Sequence, residues 1–376
     1  MRMKAAVLWD IKKPLTIEEI ELAPPKEGEV LVKMVATGVC HSDVHYWTGD
    51  VPREKPIILG HEGAGVIQET GPGVTRFKKG DHVVLTFLPS CGKCRWCHQG
   101  EPVMCDLGGK LRTGKYLDDT YRHHIVRTNQ PASVFLWVST FAEYSIVPEA
   151  SLVKAPEWLP LEKLCLLGCG FTTGFGAATN VAKIKPGETV TIIGCGGLGL
   201  SAVQGARLSS AGKIIAVDVH PEKLEMAKKF GATHTVLNKH DPQAVIDKIL
   251  EITWGLGTDY AMEFVGFDQT HETYRIGYGA TRKNGTMLFV GVPQVSQKSL
   301  PIEARDFALW RKHLVGVLFG DAQFQVDIPR YIQMYEKKQI NLDDLVTKEF
   351  RLEDINTCFQ NIVAGNRVAR QVIRFN

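Results

Sequence analysis

A glycine-rich turn between two apolar segments constrains the fold of this chain more than any other feature. The pattern G-x-G-x-x-G at residues 194–199 directly follows a short apolar run at 189–193. A helical stretch at 200–209 comes next, and a second apolar run follows at 214–217. Short apolar runs that alternate with helical stretches predict parallel strands joined by crossover helices. The sequence therefore predicts an α/β region built around a parallel sheet.

The spacing of these glycines suits a dinucleotide. Gly194 allows a tight turn, Gly196 lets the backbone approach a pyrophosphate, and Gly199 allows the helix to pack closely on the strand. Asp218 ends the next predicted strand. A carboxylate there can bond a ribose 2′-hydroxyl and would repel a 2′-phosphate, so the pattern favours NAD over NADP. The alternative is a tight turn that holds no ligand.

The rest of the chain has a different texture. The first ~170 residues carry short Val- and Ile-rich runs, such as 30–35, separated by turn signals such as 71–73, which predicts a β-rich region. The tail at 327–376 mixes a helix, a turn and a last strand. The sequence therefore divides into a β-rich part, an α/β part and a C-terminal part that mixes helix and strand and returns to the β-rich part.

Composition excludes several classes of protein. The chain has 44 basic and 41 acidic residues, a balance that does not favour nucleic acid or an anionic membrane as partner. We find no apolar run of about 18 residues and no signal-peptide core near the start. We therefore expect a cytoplasmic protein. Its nine cysteines, an odd number, are then metal ligands or thiols rather than disulfides.

Four of these cysteines lie in one short loop. Cys91, Cys94, Cys97 and Cys105 supply four thiolates within a few turns of chain. Zinc prefers tetrahedral thiolate coordination, and a site filled by four protein ligands leaves no position for substrate. The loop therefore predicts a structural zinc site, with an iron–sulfur cluster as the competing metal.

A second set of metal-type residues is dispersed along the chain. Cys40, His61 and Cys169 would give three protein ligands, which leaves a fourth position free as a catalytic zinc requires. Spacing alone supports this set only weakly, because a lone buried cysteine usually behaves as a small apolar residue.

Together these motifs resemble the zinc-dependent alcohol dehydrogenases of the medium-chain dehydrogenase/reductase superfamily. The resemblance covers nearly the whole chain, and four motifs occur in the family's order. They are GHEGAGV at 60–66, the cysteine loop at 91–105, LLGCGFTTG at 166–174 and the glycine turn at 194–199, followed by Asp218.

The resemblance implies an α/β protein of two domains. A GroES-like β-rich catalytic domain with the zinc sites is expected at residues 1–170 and is completed by 315–376. A Rossmann domain, a doubly wound parallel sheet that binds NAD, is expected at 171–314.

The resemblance also assigns roles to single residues. Cys40, His61 and Cys169 match the catalytic zinc ligands, and the four loop cysteines match the structural zinc site, which makes two zinc ions per subunit. Asp43 is similar to the carboxylate that orients the ligand histidine, a role that physics also expects. The matched positions in catalysis and cofactor binding are the following. Glu62 lies behind the zinc; Ser42 and His45 form the proton relay; and His41, Thr173, Gly194, Gly196, Gly197, Leu198, Gly199, Asp218, Lys223 and Arg370 contact NAD.

The implied activity is oxidation of a primary, or secondary, alcohol to an aldehyde or ketone, with reversible hydride transfer to NAD. Within the family, residues 5–9, 89–97, 120–124 and 147–151 are similar to the nicotinoprotein branch, which keeps NAD bound and uses an external acceptor. A dehydrogenase that oxidises formaldehyde as a thiol adduct is a further alternative. We expect a homodimer or homotetramer that acts on a small alcohol or aldehyde.

Two other classes of protein share single motifs with this chain, and three aromatic-ring residues have alternative interpretations. A zinc-ribbon nucleic-acid binder would carry a similar cysteine loop, and zinc-free quinone reductases share the dinucleotide turn but lack both cysteine sets. Phe87 either lines a substrate pocket or belongs to the core. His123 and His124 are adjacent on a predicted strand, point to opposite faces and are therefore not expected to share a metal.

Overall fold

A computed structural model describes residues 1–266, 270–365 and 369–375. Contacts divide the chain into two compact units. The first unit consists of Met1–Gly170 and most of the chain from Gln323 onward, and the second consists mainly of Phe171–Ala322. The predicted α/β class, with a β-rich part and a parallel-sheet part, is confirmed.

The N-terminal part of the first unit is built of short strands, as its Val- and Ile-rich runs predict. The strands are β1 (Arg2–Leu8), β2 (Thr16–Leu22), β3 (Glu29–Val39), β4 (Ile57–Ile58), β5 (Glu62–Thr70), β6 (His82–Leu85), β7 (His123–Ile125), β8 (Gln130–Val134), β9 (Tyr144–Pro148) and β10 (Leu152–Ala155). The helices are α1 (His41–Thr48), α2 (Arg95–His98) and α3 (Leu161–Leu164), with 3₁₀ turns at Pro102–Met104, Asp106–Arg112, Glu149–Ser151 and Cys165–Gly168.

The second unit alternates helices and strands. It contains α4 (Gly170–Gly176), a π-helical turn (Ala177–Val181), β11 (Thr189–Ile193), α5 (Gly197–Leu208), β12 (Lys213–Asp218), α6 (Pro221–Phe230), β13 (His234–Leu237), α7 (Pro242–Ile252), β14 (Thr258–Glu263), α8 (Glu272–Ala280), β15 (Thr281–Phe289), α9 (Ala304–Leu309), β16 (His313–Gly316) and a 3₁₀ turn (Phe319–Asp321). The strands pair in parallel in the order β13-β12-β11-β14-β15-β16. This is the predicted Rossmann sheet, whose order reverses beside β11, the strand that leads into the glycine turn.

The chain then returns to the first unit through α10 (Phe324–Glu336), β17 (Val346–Phe350), a 3₁₀ turn (Leu352–Asp354), α11 (Ile355–Val363) and β18 (Arg370–Arg374). Strands β1, β2, β7, β8 and β4 form a closed barrel. A second sheet has the order β10-β6-β5-β3-β18-β17, with β9 also paired to β3. The return is structural, because β18 pairs antiparallel with β3 and parallel with β17.

The return begins at Gln323, later than the predicted residue 315. The reason is that β16 is the last strand of the parallel sheet, with Leu314 aligned to Met287 of β15. The short turn after it also stays with the second unit, because Asn180 donates to the backbone carbonyl of Gly320 at 3.2 Å.

The return segment completes the apolar core of the first unit. Phe359 and Ile373 pack in one buried cluster with Leu8 and Phe141 from the N-terminal part. Among the described residues, no single helix is long and apolar enough to cross a membrane, although the consecutive short segments Leu161–Gly168 and Gly170–Val181 pass that test jointly.

Candidate metal centres and cofactor turn

The four loop cysteines come together at one point. The sulfur atoms of Cys91, Cys94, Cys97 and Cys105 all lie within 4.8 Å of one another. The Cys91–Cys97 and Cys94–Cys105 sulfur pairs are each 3.9 Å apart. A zinc tetrahedron with Zn–S bonds of about 2.3 Å has edges of about 3.8 Å, so the donor set fits zinc. Local turns produce this geometry, because Cys94 caps α2 and Cys105 follows the turn Pro102–Met104.

The surroundings in the loop change the thiol pKa of two of the cysteines in opposite directions. Hydrogen bonds from the backbone of Cys97 and Asp106 lower the pKa of Cys94 to about 6. Burial raises the pKa of Cys105 to about 12, because a charged sulfur loses its water there. Metal binding requires all four sulfurs to be deprotonated, so a cation must compensate the cost at Cys105.

The dispersed residues also form one cluster. Ligand atoms of Cys40, His61, Glu62 and Cys169 lie within 4.8 Å of one another, and all four residues are buried. They come from three parts of the first unit: Cys40 precedes α1, the adjacent His61 and Glu62 lie where β5 begins, and Cys169 follows the turn Cys165–Gly168. Two sulfurs and one imidazole suit zinc, and tertiary structure alone brings them together.

Asp43 holds this cluster in place. Its Oδ1 lies 3.0 Å from Nδ1 of His61 and accepts from the backbone N–H of Gly60 at 3.2 Å. Its Oδ2 accepts from the backbone N–H of Cys40 at 3.0 Å. Because a carboxylate accepts, His61 donates through Nδ1 and presents Nε2 to a metal. The structure therefore places Asp43 where the predicted orienting carboxylate belongs.

The charges in the dispersed cluster favour the binding of a metal ion. A hydrogen bond from the Cys169 thiol and the neighbouring His61 hold the pKa of Cys40 well below its usual value. Burial alone would lower the pKa of His61, but Asp43 and the Cys40 thiolate raise it well above its usual value. A thiolate beside an imidazolium is a site in which a divalent cation can replace the proton.

Glu62 is engaged by a buried arginine. The guanidinium of Arg370 contacts Oε2 of Glu62, and the backbone N–H of Gly170 donates to Oε1 at 3.1 Å. Burial raises the pKa of Glu62 to about 7, although Arg370 opposes that rise. The predicted contact of Arg370 with pyrophosphate stays a prediction, whereas the structure places its guanidinium behind the metal cluster.

Sequence reasoning missed a glycine that this ion pair requires. A Cβ on Gly38 would overlap Oε2 of Glu62 and approach the Arg370 guanidinium to 3.2 Å. Gly38 lies in β3, opposite Glu62 in β5. A glycine inside a strand often marks such a close approach, so its position could have given the signal.

The two predicted relay residues lie one turn apart on α1. Ser42 Oγ is 3.7 Å from Cys40 Sγ, and three residues later His45 falls on the same face of the helix. Nδ1 of His45 lies 3.0 Å from Oδ2 of Asp50, a residue that the sequence analysis did not select. His41 opens the helix, with its ring centre 6.2 Å from that of His45.

Aromatic rings flank the metal cluster. Phe87 and Phe135 each meet the ring of His61 nearly edge to face, with ring centres 5.7 Å apart in both cases. Phe135 is buried, and the centre of its ring lies 4.5 Å from the ring centre of Tyr46 in α1. Phe87 is only half buried, which favours the interpretation that it lines a pocket.

The glycine turn has the geometry that its spacing predicts. Gly194 has a φ of 91°, which favours glycine. A Cβ on Gly199 would overlap the carbonyl of Gly194, so this glycine allows α5 to pack on the turn. Gly196 caps α5 with no atom within 4 Å of its Cβ position, an approach open to a pyrophosphate. Gly197 and Leu198 begin the helix.

Other predicted cofactor residues surround the same turn. Asp218 ends β12 and accepts from the backbone N–H groups of Cys195 at 2.7 Å and His220 at 2.9 Å. Thr173 lies in α4, whose Gly174 has no room for a Cβ beside the carbonyl of Leu198. Lys223 lies in the first turn of α6, which follows Asp218. The structure thus groups these residues within the second unit.

The histidine pair forms no metal cluster among the described residues. His123 and His124 lie side by side on β7, the first buried and the second half buried. Burial lowers the pKa of His123 to about 3, and neither ring nitrogen has a hydrogen-bond partner in the described part of the chain.

Comparisons with known proteins agree across the chain. Residues 26–157 match the family described as "Alcohol dehydrogenase GroES-like domain", and residues 197–355 match "Zinc-binding dehydrogenase". The chain is 40% identical to "Putative alcohol dehydrogenase D" of Mycobacterium tuberculosis over 99% of this chain and 100% of that protein. It is 39% identical to the "NDMA-dependent alcohol dehydrogenase" of Amycolatopsis methanolica over 98% of both. The crystal structure of benzyl alcohol dehydrogenase from Acinetobacter calcoaceticus matches with a TM-score of 0.92 and 32% identity over 100% of both chains.

Proposed function

Because the chain belongs to the zinc-binding alcohol dehydrogenases of the medium-chain dehydrogenase/reductase superfamily, we propose that it oxidises a primary alcohol to an aldehyde, with reversible hydride transfer to NAD. A secondary alcohol, which would give a ketone, is the second candidate substrate for the same reaction. The observation that carries the proposal is the buried cluster of two cysteines and one histidine oriented by a carboxylate.

Cys40, His61 and Cys169 would hold a catalytic zinc ion. Zinc held there supplies a Lewis acid that lowers the pKa of an alcohol, as it does for water. Asp43 keeps the imidazole of His61 in one orientation, and buried Glu62 stands behind the ligands with its charge offset by Arg370. The four cysteines of the loop would hold a second zinc ion with a structural role.

The proton of the alcohol would leave along α1. The hydroxyl of Ser42 lies beside Cys40 and can accept that proton while it donates its own. His45 is buried and lies one helical turn farther on, where its imidazole would accept the proton and pass it to solvent.

The second unit would hold the cofactor. NAD supplies the hydride acceptor. The N–H groups at the start of α5 would face the pyrophosphate, and the carboxylate of Asp218 would bond the adenosine ribose and disfavour NADP. His41, Thr173, Leu198, Lys223 and Arg370 stay as predicted contacts.

Aromatic primary alcohols are the proposed substrate class. The half-buried ring of Phe87 lies edge to face against His61, and such a ring favours a flat apolar group over a short alkyl chain. The benzyl alcohol dehydrogenase that resembles this structure gives the same direction. Phe87→Ala should therefore lower kcat/KM for benzyl alcohol by about tenfold and that for ethanol by much less. Equal losses on both alcohols would contradict the assignment.

The first test is the absorbance of reduced nicotinamide during incubation of the purified protein with benzyl alcohol, with and without added NAD. A signal that grows with added NAD supports an exchangeable cofactor. The similarity to a relative named for NDMA dependence favours the alternative of a tightly bound cofactor. Turnover with NDMA as acceptor, without any response to added NAD, would identify that alternative. Formaldehyde with a thiol forms a third arm, and turnover only there would support the adduct alternative.

We further propose that the chain forms a homodimer or homotetramer. The edge strand β16 has a free side in the described part of the sheet, and exposed Leu309 and Trp310 lie just before it. A second copy could extend the sheet there. Light scattering after gel filtration tests this, and a monomer would contradict it. The cytoplasmic location stays a prediction.

A further inference from the structure

The end of α1 holds a carboxylate against the relay histidine. Oδ2 of Asp50 lies 3.0 Å from Nδ1 of His45, and the two side chains are 14% and 7% exposed. An ionised carboxylate only accepts hydrogen bonds, so the imidazole donates through Nδ1. The other ring nitrogen, Nε2, is then the one that can accept a proton.

The backbone fixes the position of this carboxylate. Gly49 ends α1 with a φ of 80°, and a Cβ there would lie 2.9 Å from the side chain of Ile11. The next residue but one, Val51, donates its N–H to the carbonyl of His45 at 3.2 Å. The segment is therefore fastened to the last turn of the helix, and Asp50 between these residues is directed back at the imidazole.

His45 lies in the last turn of α1. His41 is the other titratable group on this helix face, with its ring centre 6.2 Å away.

We propose that Asp50 is a positioning residue for the proton relay. It keeps His45 in the tautomer with a protonated Nδ1 and presents Nε2 as the proton acceptor. The inference rests on the proposed relay through Ser42 and His45. The step is a proton transfer only: Nε2 gains the proton that the alcohol loses, the ring becomes imidazolium, and solvent then receives the proton.

The first test reads the tautomer without using activity. The full-length protein is labelled with heavy nitrogen in its histidine rings, and the ring signals are recorded by NMR. His45→Gln identifies the signal by removing it. We expect a protonated Nδ1 and an unprotonated Nε2 in the wild type, and a mixture of tautomers in Asp50→Ala. An unprotonated Nδ1 in the wild type, or the same tautomer in Asp50→Ala, would overturn the proposal.

The second test is a double-mutant cycle in alcohol oxidation. Asp50→Ala should lower kcat by about tenfold and leave KM nearly unchanged, because it disturbs proton acceptance rather than binding. In the His45→Gln background the same substitution should have no further effect, since it has no imidazole to position. A further tenfold loss in that background would show that Asp50 acts through the fold, and the inference would fail.

A matched control uses another histidine–carboxylate pair. Glu272 lies 3.2 Å from the exposed His240 of the second unit. Glu272→Gln should leave kcat and the His45 signal unchanged, and a loss equal to that of Asp50→Ala would overturn the proposal. If the wild type oxidises no alcohol but shows the expected tautomer, the proposed function fails and the positioning of His45 by Asp50 stands.

Discussion

The two cysteine clusters of the first unit contrast in how the chain builds them. The loop cluster takes its four ligands from residues 91–105, and three of them are half exposed. The dispersed cluster takes its ligands from positions as far apart as Cys40 and Cys169, and all are buried. In the first, short turns set the geometry; in the second, strand pairing and the buried carboxylate of Asp43 set it.

This difference fits the roles proposed for the two clusters, a structural metal site in the loop and a catalytic one in the dispersed cluster. A local loop needs a metal to hold itself together, whereas a dispersed cluster is already held by the fold and can leave a coordination position for substrate. Removing a ligand from each cluster should therefore damage different properties. The following predictions test that separation, beginning with the largest expected effect.

Cys169→Ser should abolish alcohol oxidation, by at least about a thousandfold, because several kcal/mol of transition-state stabilisation depend on the catalytic metal. Zinc content should fall by about half, while the thermal midpoint changes little. Steady-state kinetics, zinc analysis and calorimetry on one preparation measure all three. Activity within tenfold of the wild type would contradict a catalytic role for this cluster.

Cys94→Ser should show the opposite pattern. Loss of the loop metal should lower the free energy of unfolding by about 3 kcal/mol, because the loop depends on its metal for structure. Activity per folded molecule should stay close to that of the wild type. Denaturant unfolding with activity measured below the transition tests this. The comparison breaks if this variant keeps its stability and loses turnover instead.

Asp43→Asn should weaken the dispersed cluster alone. The amide no longer offers two acceptor oxygens to Cys40, Gly60 and His61, and loss of such a partner costs about 10–100-fold in metal affinity or activity. Competition with a chelator should remove about half of the zinc at a lower chelator concentration than in the wild type. Asp10→Asn, at an exposed aspartate, is the control. An equal shift in both variants would exclude the orienting role.

Two buried histidines sharpen the comparison through pH. The pKa of His61, inside a cluster, is raised, whereas burial lowers that of His123, outside any cluster, to about 3. Below pH ~6.5 the unfolded chain binds a proton at His123, whereas the folded chain does not. The free energy of unfolding therefore decreases as the pH is lowered, by up to about 1.4 kcal/mol per pH unit, until pH ~3.

His123→Leu removes this titration. Between pH 6.5 and 5 the wild type should therefore lose about 1.6 kcal/mol more stability than the variant. Urea unfolding at both pH values measures the difference, and other titrating groups cancel because both proteins contain them. Parallel stability curves for the two proteins would show that His123 is protonated or hydrated in the folded state.

The parts of the molecule that could be predicted from the sequence are those that short segments determine. The strand at Thr189–Ile193 was predicted with its observed bounds, since an apolar run before a glycine turn has few alternatives. The helix after it begins at Gly197 rather than at residue 200, because the last glycines of the turn already take helical geometry. The cysteine loop was equally readable from its spacing.

Contacts between distant segments were beyond reach of such reasoning. The pairing of Arg370 with Glu62 spans 308 residues, and only the placement of β18 beside β3 creates it. Asp50 was missed because its role depends on a helix end that turns the chain back toward His45. The return point was placed too early, because β16 (His313–Gly316) joins the parallel sheet beside β15 and no apolar run had indicated that strand.

The position of β18 has a consequence for biosynthesis. The strand Arg370–Arg374 enters the sheet next to β3, yet the ribosome makes it after the entire second unit. A nascent chain can therefore complete its parallel sheet while the N-terminal half still has an open edge at β3. Glu62 meets its arginine only after that last strand has been released. An unfinished chain should thus load zinc in its cysteine loop first and acquire its reactive centre last.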